Sequence, residues 1–252
     1  MQAVGIVGFS NSGKTTLVSR LSECLEARGL RVAIAKYTHH VLDKPDTDTA
    51  LLMKPGRTIV GLSNLRTGGG EAMIHWGNPC DLAKLVPLLD ADILLVEGGK
   101  TLGWLPRILC LRSTPELLAA LPNGLDALRP ELALASYGEN ELPGLRAYSV
   151  EELDALVDLI LERAFLLPGL DCGACGERNC SELARRIVAG ECTPAACKAV
   201  GGVLDIEING HPVGLNSFAS RVIAGGLEGM LSALQGVTSG GDVVIRLRRQ
   251  SI

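Results

Sequence analysis

Gly8-Phe9-Ser10-Asn11-Ser12-Gly13-Lys14-Thr15 fits the pattern G-x-x-x-x-G-K-[ST] without a mismatch. Its surroundings suit it. Ala3 to Val7 is an apolar run that reads as a buried strand, and Lys14 to Arg28 repeats Leu17, Leu21 and Leu25 at helical spacing before Gly29. A strand, a glycine turn and a helix in that order form a phosphate cradle. The glycines let several backbone N–H groups face one anion, and the helix N-terminus adds partial positive charge. Gly8, Ser10, Asn11, Ser12, Gly13, Lys14, Thr15 and Thr16 are therefore the expected nucleotide contacts. Lys14 is expected to reach the β- and γ-phosphates and Thr15 to ligate Mg2+.

Outward from this stretch, strands and helices alternate. Arg31 to Lys36, Ile59 to Leu62, Ala72 to His75, Asp92 to Val96, Arg107 to Leu111 and Leu132 to Ala135 read as strands. Asp81 to Leu89, Thr114 to Leu121 and a long segment from Ser149 through Phe165 read as helices, the last with Ser149 and Glu152 as a capping box. The alternation predicts an α/β fold of the P-loop NTPase type, a mostly parallel sheet covered on both faces. Leu167, Pro168 and Gly169 mark a boundary. The expected division is 1–166 for nucleotide binding, 167–200 for a cysteine-rich module and 201–252 for a small α+β module. The last contains a strand Val203 to Ile208, a hairpin turn at Asn209-Gly210, a helix Ser217 to Leu234 interrupted by glycines, and a strand Val243 to Leu247.

Magnesium needs a carboxylate beside the cradle. Asp92 and Glu97 lie at opposite ends of one apolar run, and ligands of parallel sheets sit beyond the carboxyl ends of strands, which selects Glu97. Lys36-Tyr37-Thr38-His39-His40 follows another strand at the same edge, with Asp43, Asp46 and Asp48 beyond it.

Composition excludes several classes. The net charge is -4 and aromatic residues make up 3% of the 252, which argues against a nucleic-acid footprint or a base-stacking platform. The first residues hold no basic stretch or cleavage site, and apolar runs are too short to span a bilayer, so a cytoplasmic location is expected.

Five of the eight cysteines fall between Cys172 and Cys197. Cys172, Cys175, Cys180 and Cys197 read C-x2-C-x4-C-x16-C, a spacing that suits a 4Fe-4S cluster with one thiolate per iron. Zinc is the rival, although the second C-x2-C knuckle of a zinc ribbon is missing: Cys192 and Cys197 are four residues apart. Disulfides are disfavoured in a reducing cytosol. The stretch from Asp171 through Ala184, with Ala189-Gly190-Glu191 and Cys197, is similar to the 4Fe-4S domain of corrinoid iron–sulfur proteins. In that pattern Cys197 rather than Cys192 is the fourth ligand. Cys24 and Cys110 read as core, and Cys80 has no assigned role.

Three pieces in order, Gly8 to Leu17, Lys36 to Thr49 with Thr38-His39-His40 and Asp46-Thr47-Asp48-Thr49, and Val96-Glu97-Gly98-Gly99-Lys100, resemble the molybdopterin-guanine dinucleotide biosynthesis protein MobB family. The resemblance covers Ala3 to about Tyr137. It implies a GTP-binding homodimer that assists attachment of a guanine nucleotide to molybdopterin, beside a molybdopterin guanylyltransferase or other molybdoenzyme maturation proteins. By the same resemblance Lys36, His39, Asp46, Asp48, Glu97 and Lys100 become candidates for nucleotide or cofactor contact. The sequence departs from the family at Tyr37, usually histidine, at Gly99, usually bulky, and at Lys54-Pro55-Gly56. No Asn-Lys-x-Asp guanine-reading motif occurs, so GTP rather than ATP is implied by the resemblance alone. No arginine finger or water-positioning glutamine stands out, so hydrolysis is expected to be weak without a partner. A metallochaperone GTPase, an ATP-driven reductive activator and a nucleotide-switched adaptor are the alternative readings.

Overall fold

The computed structural model describes residues 1–38, 59–64, 70–75, 81–111, 124–138, 140, 142–199, 204, 206–208, 211–213, 215, 217–234 and 243–245. The chain begins with β1 (Gln2–Gly8), α1 (Lys14–Ala27) and β2 (Val32–Lys36). β3 (Ile59–Asn64) and β4 (Gly70–His75) form a separate antiparallel pair. Then come β5 (Ile93–Glu97), β6 (Arg107–Cys110), β7 (Ala133–Tyr137), β8 (Ala147–Tyr148) and α2 (Leu153–Arg163). Further along lie α3 (Cys180–Val188), the antiparallel pair β9 (Ile206–Ile208) and β10 (His211–Val213), and α4 (Ser217–Leu231).

Six strands make one sheet in the order β2-β5-β1-β6-β7-β8, every pairing parallel. Such strands are buried on both faces, which is why β5 reads as an unbroken apolar run. Its alternate residues serve two cores. Ile93 and Leu95 pack with Val4 and Ile6 of β1 against Leu17, Leu21 and Leu25 of α1 and Leu156, Val157 and Ile160 of α2. Leu94 and Val96 point the other way, into a core that includes Leu102, Trp104, Leu105, Phe165 and Leu167 and the apolar side of α3, Leu183, Ala184 and Ile187. The cysteine-bearing helix thus packs on the same sheet as the phosphate cradle.

Asp81 to Leu89 departs from the expected α-helix. It forms two 3-10 turns, Leu82–Lys84 and Val86–Leu88. Asp81 caps the first through the Ala83 N–H, 3.2 Å away. Pro87 has no N–H and cannot carry an α-helical ladder through the segment. α2 begins at Leu153, one turn after Ser149, but the Glu152 carboxylate still accepts from the Ser149 N–H at 3.2 Å. α4 runs through Gly225, Gly226 and Gly229 without a break. Val243 to Ile245 form no strand and are exposed, and residues 246–247 lie outside the described residues. The expected helix Thr114 to Leu121 also lies outside them.

Candidate functional site

The cradle's shape comes from three residues. Gly13 takes φ 87° and Asn11 φ 58°, the left-handed region that glycine enters freely and asparagine tolerates. At Gly8 a Cβ would stand 2.3 Å from Ser12 Oγ and 2.6 Å from the Cys110 carbonyl oxygen, so only glycine fits there. The first helical bond follows at once, from Leu17 N–H to Gly13 O at 3.0 Å. Lys14 turns back over the loop, its ammonium donating to Phe9 O at 2.5 Å and lying 3.4 Å from Ser12 Oγ. Ser10 and Thr16 are exposed at the rim.

Sheet register brings the other residues to the cradle. Glu97, the last residue of β5, pairs with Lys36 of β2 on one side and Ile6 of β1 on the other. Its backbone is held by the Tyr37 N–H, 2.9 Å from Glu97 O, and the chain turns away with Gly98 N–H on Ile6 O at 3.0 Å. The Glu97 carboxylate is buried, 7% exposed, and accepts from Thr15 Oγ1 at 2.7 Å. The Lys36 ammonium completes the group, 2.9 Å from Glu97 Oε1 and 3.3 Å from Thr15 Oγ1. Asp92 sits at the far end of β5, where its carboxylate grips the Arg31 guanidinium at 2.9 Å and 3.1 Å. That ion pair holds it well away from the cradle.

Lys100 reaches the same edge after the Gly98-Gly99 turn. Its ammonium lies 4.3 Å from the centre of the Phe9 ring. Burial, and then the charge of Lys14, push its pKa below the usual lysine value. A cluster of three lysines, Lys14, Lys36 and Lys100, around a helix N-terminus is suited to a polyanion; the Thr15 hydroxyl and Glu97 carboxylate beside it are hard oxygen donors suited to Mg2+. His39, Asp46 and Asp48 lie outside the described residues. Phe9 and Tyr37 escaped sequence reasoning as contacts. Phe9 occupies a position that the phosphate-loop pattern leaves free, and Tyr37 acts through its backbone, which no side-chain pattern reveals.

The cysteine segment is built by local turns. Asp171, Gly173 and Gly176 all have positive φ, at 47°, 68° and 90°. Asn179 caps α3 by accepting from the Glu182 N–H at 2.9 Å. Asp171 and Cys180 hold each other: the Cys180 N–H donates to Asp171 Oδ1 at 2.7 Å, and the Asp171 N–H points at Cys180 Sγ from 3.4 Å. Cys180 and Cys197 are buried in one apolar core, Cys175 and Cys192 are half-buried against it, and Cys172 is exposed. Burial raises the Cys180 thiol pKa, with the Asp171 N–H opposing. Among the described residues no three histidine, cysteine or acidic side chains gather around a point that could hold one ion. An iron–sulfur cluster asks something different: thiolates spread one per iron, with backbone N–H groups near the sulfurs. The donor set here, all cysteine, with an N–H already aimed at Cys180 Sγ and a thiol in the first turn of α3, fits that requirement.

Comparisons with known proteins match both the cradle-bearing and the cysteine-bearing stretch. Residues 3–126 match the family model "Molybdopterin guanine dinucleotide synthesis protein B", and residues 167–199 match one described as "Putative Fe-S cluster". A "Putative molybdopterin-guanine dinucleotide biosynthesis adapter protein" of Methanocaldococcus jannaschii is 25% identical over 94% of this chain and 93% of its own length. The molybdopterin-guanine dinucleotide biosynthesis adapter protein of Haemophilus influenzae is 36% identical over 47% of this chain and 67% of its own. The crystal structure of Bacillus subtilis MobB covers 64% of this chain and 97% of its own at 24% identity, with a TM-score of 0.47. Among the described residues no helix is long and apolar enough to cross a membrane. With its phosphate cradle, its Glu97 edge and these sequence relatives, the chain belongs to the molybdopterin guanine dinucleotide synthesis protein B (MobB) family.

Proposed function

We propose that this chain is a GTP- and Mg2+-binding factor of molybdenum-cofactor maturation, acting on the formation or delivery of molybdopterin guanine dinucleotide, and that it carries a 4Fe-4S cluster. The observation that carries the nucleotide half is the group formed by Thr15, Glu97 and Lys36, with Thr15 Oγ1 2.7 Å from the Glu97 carboxylate at the mouth of the cradle. Lys14 and Lys100 neutralise the phosphates, the backbone N–H groups from Ser10 to Thr16 orient them, and the Thr15 hydroxyl ligates Mg2+. Glu97 holds the ion or its water shell. Lys36 shares Glu97 with Thr15, and with the carboxylate engaged by a divalent cation the Lys36 ammonium would be free to turn toward a phosphate. By the family resemblance His39, Asp46 and Asp48 contact the nucleotide or the pterin.

Cys172, Cys175, Cys180 and Cys197 hold the cluster, which supplies one-electron chemistry or a redox-sensitive fold when bound. The partners are a molybdopterin guanylyltransferase and molybdoenzyme maturation proteins, met by a homodimer in the cytoplasm. Hydrolysis is weak in the isolated protein, and the chain acts as an accessory factor.

Anaerobic purification with mass spectrometry of bound small molecules and iron and sulfide assays tests the reading. Guanine nucleotide with about four irons per chain is the expected result. A colourless protein holding one zinc removes the cluster, and selective retention of ATP turns the reading toward an ATP-driven activator.

A further inference from the structure

The segment between β5 and β6, residues 98–106, touches both halves of the molecule. At its start Gly98 and Gly99 take φ 84° and 62° and lie against Tyr37, and Lys100 covers the Phe9 ring of the cradle. Three residues later the same segment meets the cysteine module. A Cβ on Gly103 would stand 2.7 Å from Ser181 Cβ, on the residue beside Cys180, and 2.7 Å from the Arg129 guanidinium that itself bonds Ser181 Oγ. Trp104 O accepts from the Leu167 N–H at 3.0 Å, and the Trp104 indole lies under Gly169, two residues before Asp171. Leu102, Trp104 and Leu105 share one core with Cys180 and Cys197.

One side chain fixes this segment. Arg107 is 1% exposed, and its guanidinium donates to Lys100 O at 3.2 Å, to Leu128 O at 2.9 Å and to Leu102 O. Among the described residues no carboxylate forms an ion pair with it. A buried guanidinium held by carbonyls alone, with its Nε left without a partner, is a costly way to fill space, and an apolar side chain would fill it at less cost. Two of its bonds join the Lys100 carbonyl, on the phosphate side, to the Leu102 carbonyl, on the cysteine side, and the third anchors the same guanidinium to Leu128.

We propose that Arg107 is the positioning residue of a coupling loop, residues 98–106, through which phosphate binding at Lys14 and Lys100 and the state of the Cys180–Cys197 site are linked. The linkage is reciprocal: a nucleotide that draws Lys100 moves the Gly103 and Trp104 contacts, and a cluster that tightens the Cys180 segment presets Lys100. The inference rests on the proposed nucleotide and cluster reading of these two sites.

The test uses the full chain with a fluorescent GTP analogue and Mg2+, with the cluster present and after its removal by chelation. Wild-type affinity is expected to differ at least about fivefold between the two forms, and GTP is expected to change the EPR spectrum of the reduced cluster. Arg107→Met is expected to bring the two affinities to within about twofold and to remove the EPR response, with nucleotide still bound. Gly103→Ala forces the loop off Ser181 without touching the cradle and is expected to do the same, so it decides if Arg107→Met does not fold. In a Trp76→Phe background Trp104 is the sole tryptophan, and its fluorescence is expected to respond to GTP in the cluster-free protein. Wild-type protein that binds both GTP and iron, with equal affinities and an unchanged spectrum, overturns the coupling alone. Protein that binds no nucleotide or no iron overturns the underlying reading and the coupling with it.

Discussion

The two candidate sites are assembled in opposite ways. Thr15 and Glu97 are 82 positions apart and meet because β1 lies between β5 and β6 in a parallel sheet. Asp171 and Cys180 are nine apart and meet through three positive-φ residues and a helix cap. The phosphate edge therefore exists only if the sheet exists. The cysteine segment is local, has one thiol in solvent, and leaves its last step of closure to the group it holds. Small cysteine sites of this kind draw folding free energy from their metal, whereas a cradle draws it from the core beneath. Perturbations at the two should differ in what they cost first: damage at the cradle costs nucleotide affinity without costing fold, and damage at the cysteines costs the cofactor.

The largest separation is expected from Lys14→Ala. Lys14 is the cation folded over the loop, and losing a charge partner in a site of this kind costs about 2–5 kcal/mol, about one and a half to three and a half orders of magnitude in nucleotide affinity. Iron content should not change. Titration with a fluorescent GTP analogue beside an iron assay measures both, and a parallel loss of iron would merge the two regions into one folding unit. At the other site Cys180→Ser and Cys197→Ser are each expected to lose most of the iron, while Cys192→Ser retains it. Cys180 and Cys197 are buried in one core with Cys192 only packed against it. Iron retained by Cys197→Ser and lost by Cys192→Ser would exchange their roles.

The sequence carried these regions unequally. Gly8, Gly13, Lys14 and Thr15 are legible because each is dictated by a local demand, a close approach at Gly8 or a positive φ at Gly13. Glu97 was legible by one extra step, since carboxyl ends of parallel strands converge, and Asp92 is held at the opposite end by Arg31. Lys36 could be placed at the edge, but its ion pair with Glu97 depends on the register of β2 against β5, which no single-strand pattern encodes. Arg107 was invisible for the same reason. It begins a strand like any charged residue at a strand end, and only the fold of residues 98–106 buries it. The 3-10 turns at 82–88 replace the expected helix because Pro87 supplies no N–H for an α-helical ladder.

Glu97→Gln is expected to act within the phosphate site more gently. The amide keeps the Thr15 hydrogen bond and loses the charge that Lys36 and a divalent cation would share. A charge-assisted hydrogen bond contributes about 1.5–3 kcal/mol, so nucleotide affinity in Mg2+ should fall about tenfold to a hundredfold. In EDTA it should barely change. Equal affinities for both proteins in Mg2+ would remove Glu97 from the metal site.

The smallest effect is expected at the far end of the same strand, where Asp92 serves stability alone. Hydrogen bonds from the Arg31 side chain, then its backbone N–H, hold the Asp92 pKa at about 2, below its ordinary 3.8. A depressed carboxylate stabilises the fold above its unfolded pKa, and that contribution is lost as pH falls through the folded value. The pair is exposed and screened by solvent, so the effect is small. Asp92→Asn should lower the urea midpoint slightly at pH 7, the difference from wild type should shrink from about pH 4 downward, and nucleotide affinity should be unchanged throughout. A midpoint difference that does not shrink on acidification would mean that Arg31 stabilises the strand end without Asp92's charge. A Mg2+-dependent loss of GTP binding would instead move the metal carboxylate to the wrong end of β5, and with it the division between an edge that binds and an edge that only holds the sheet.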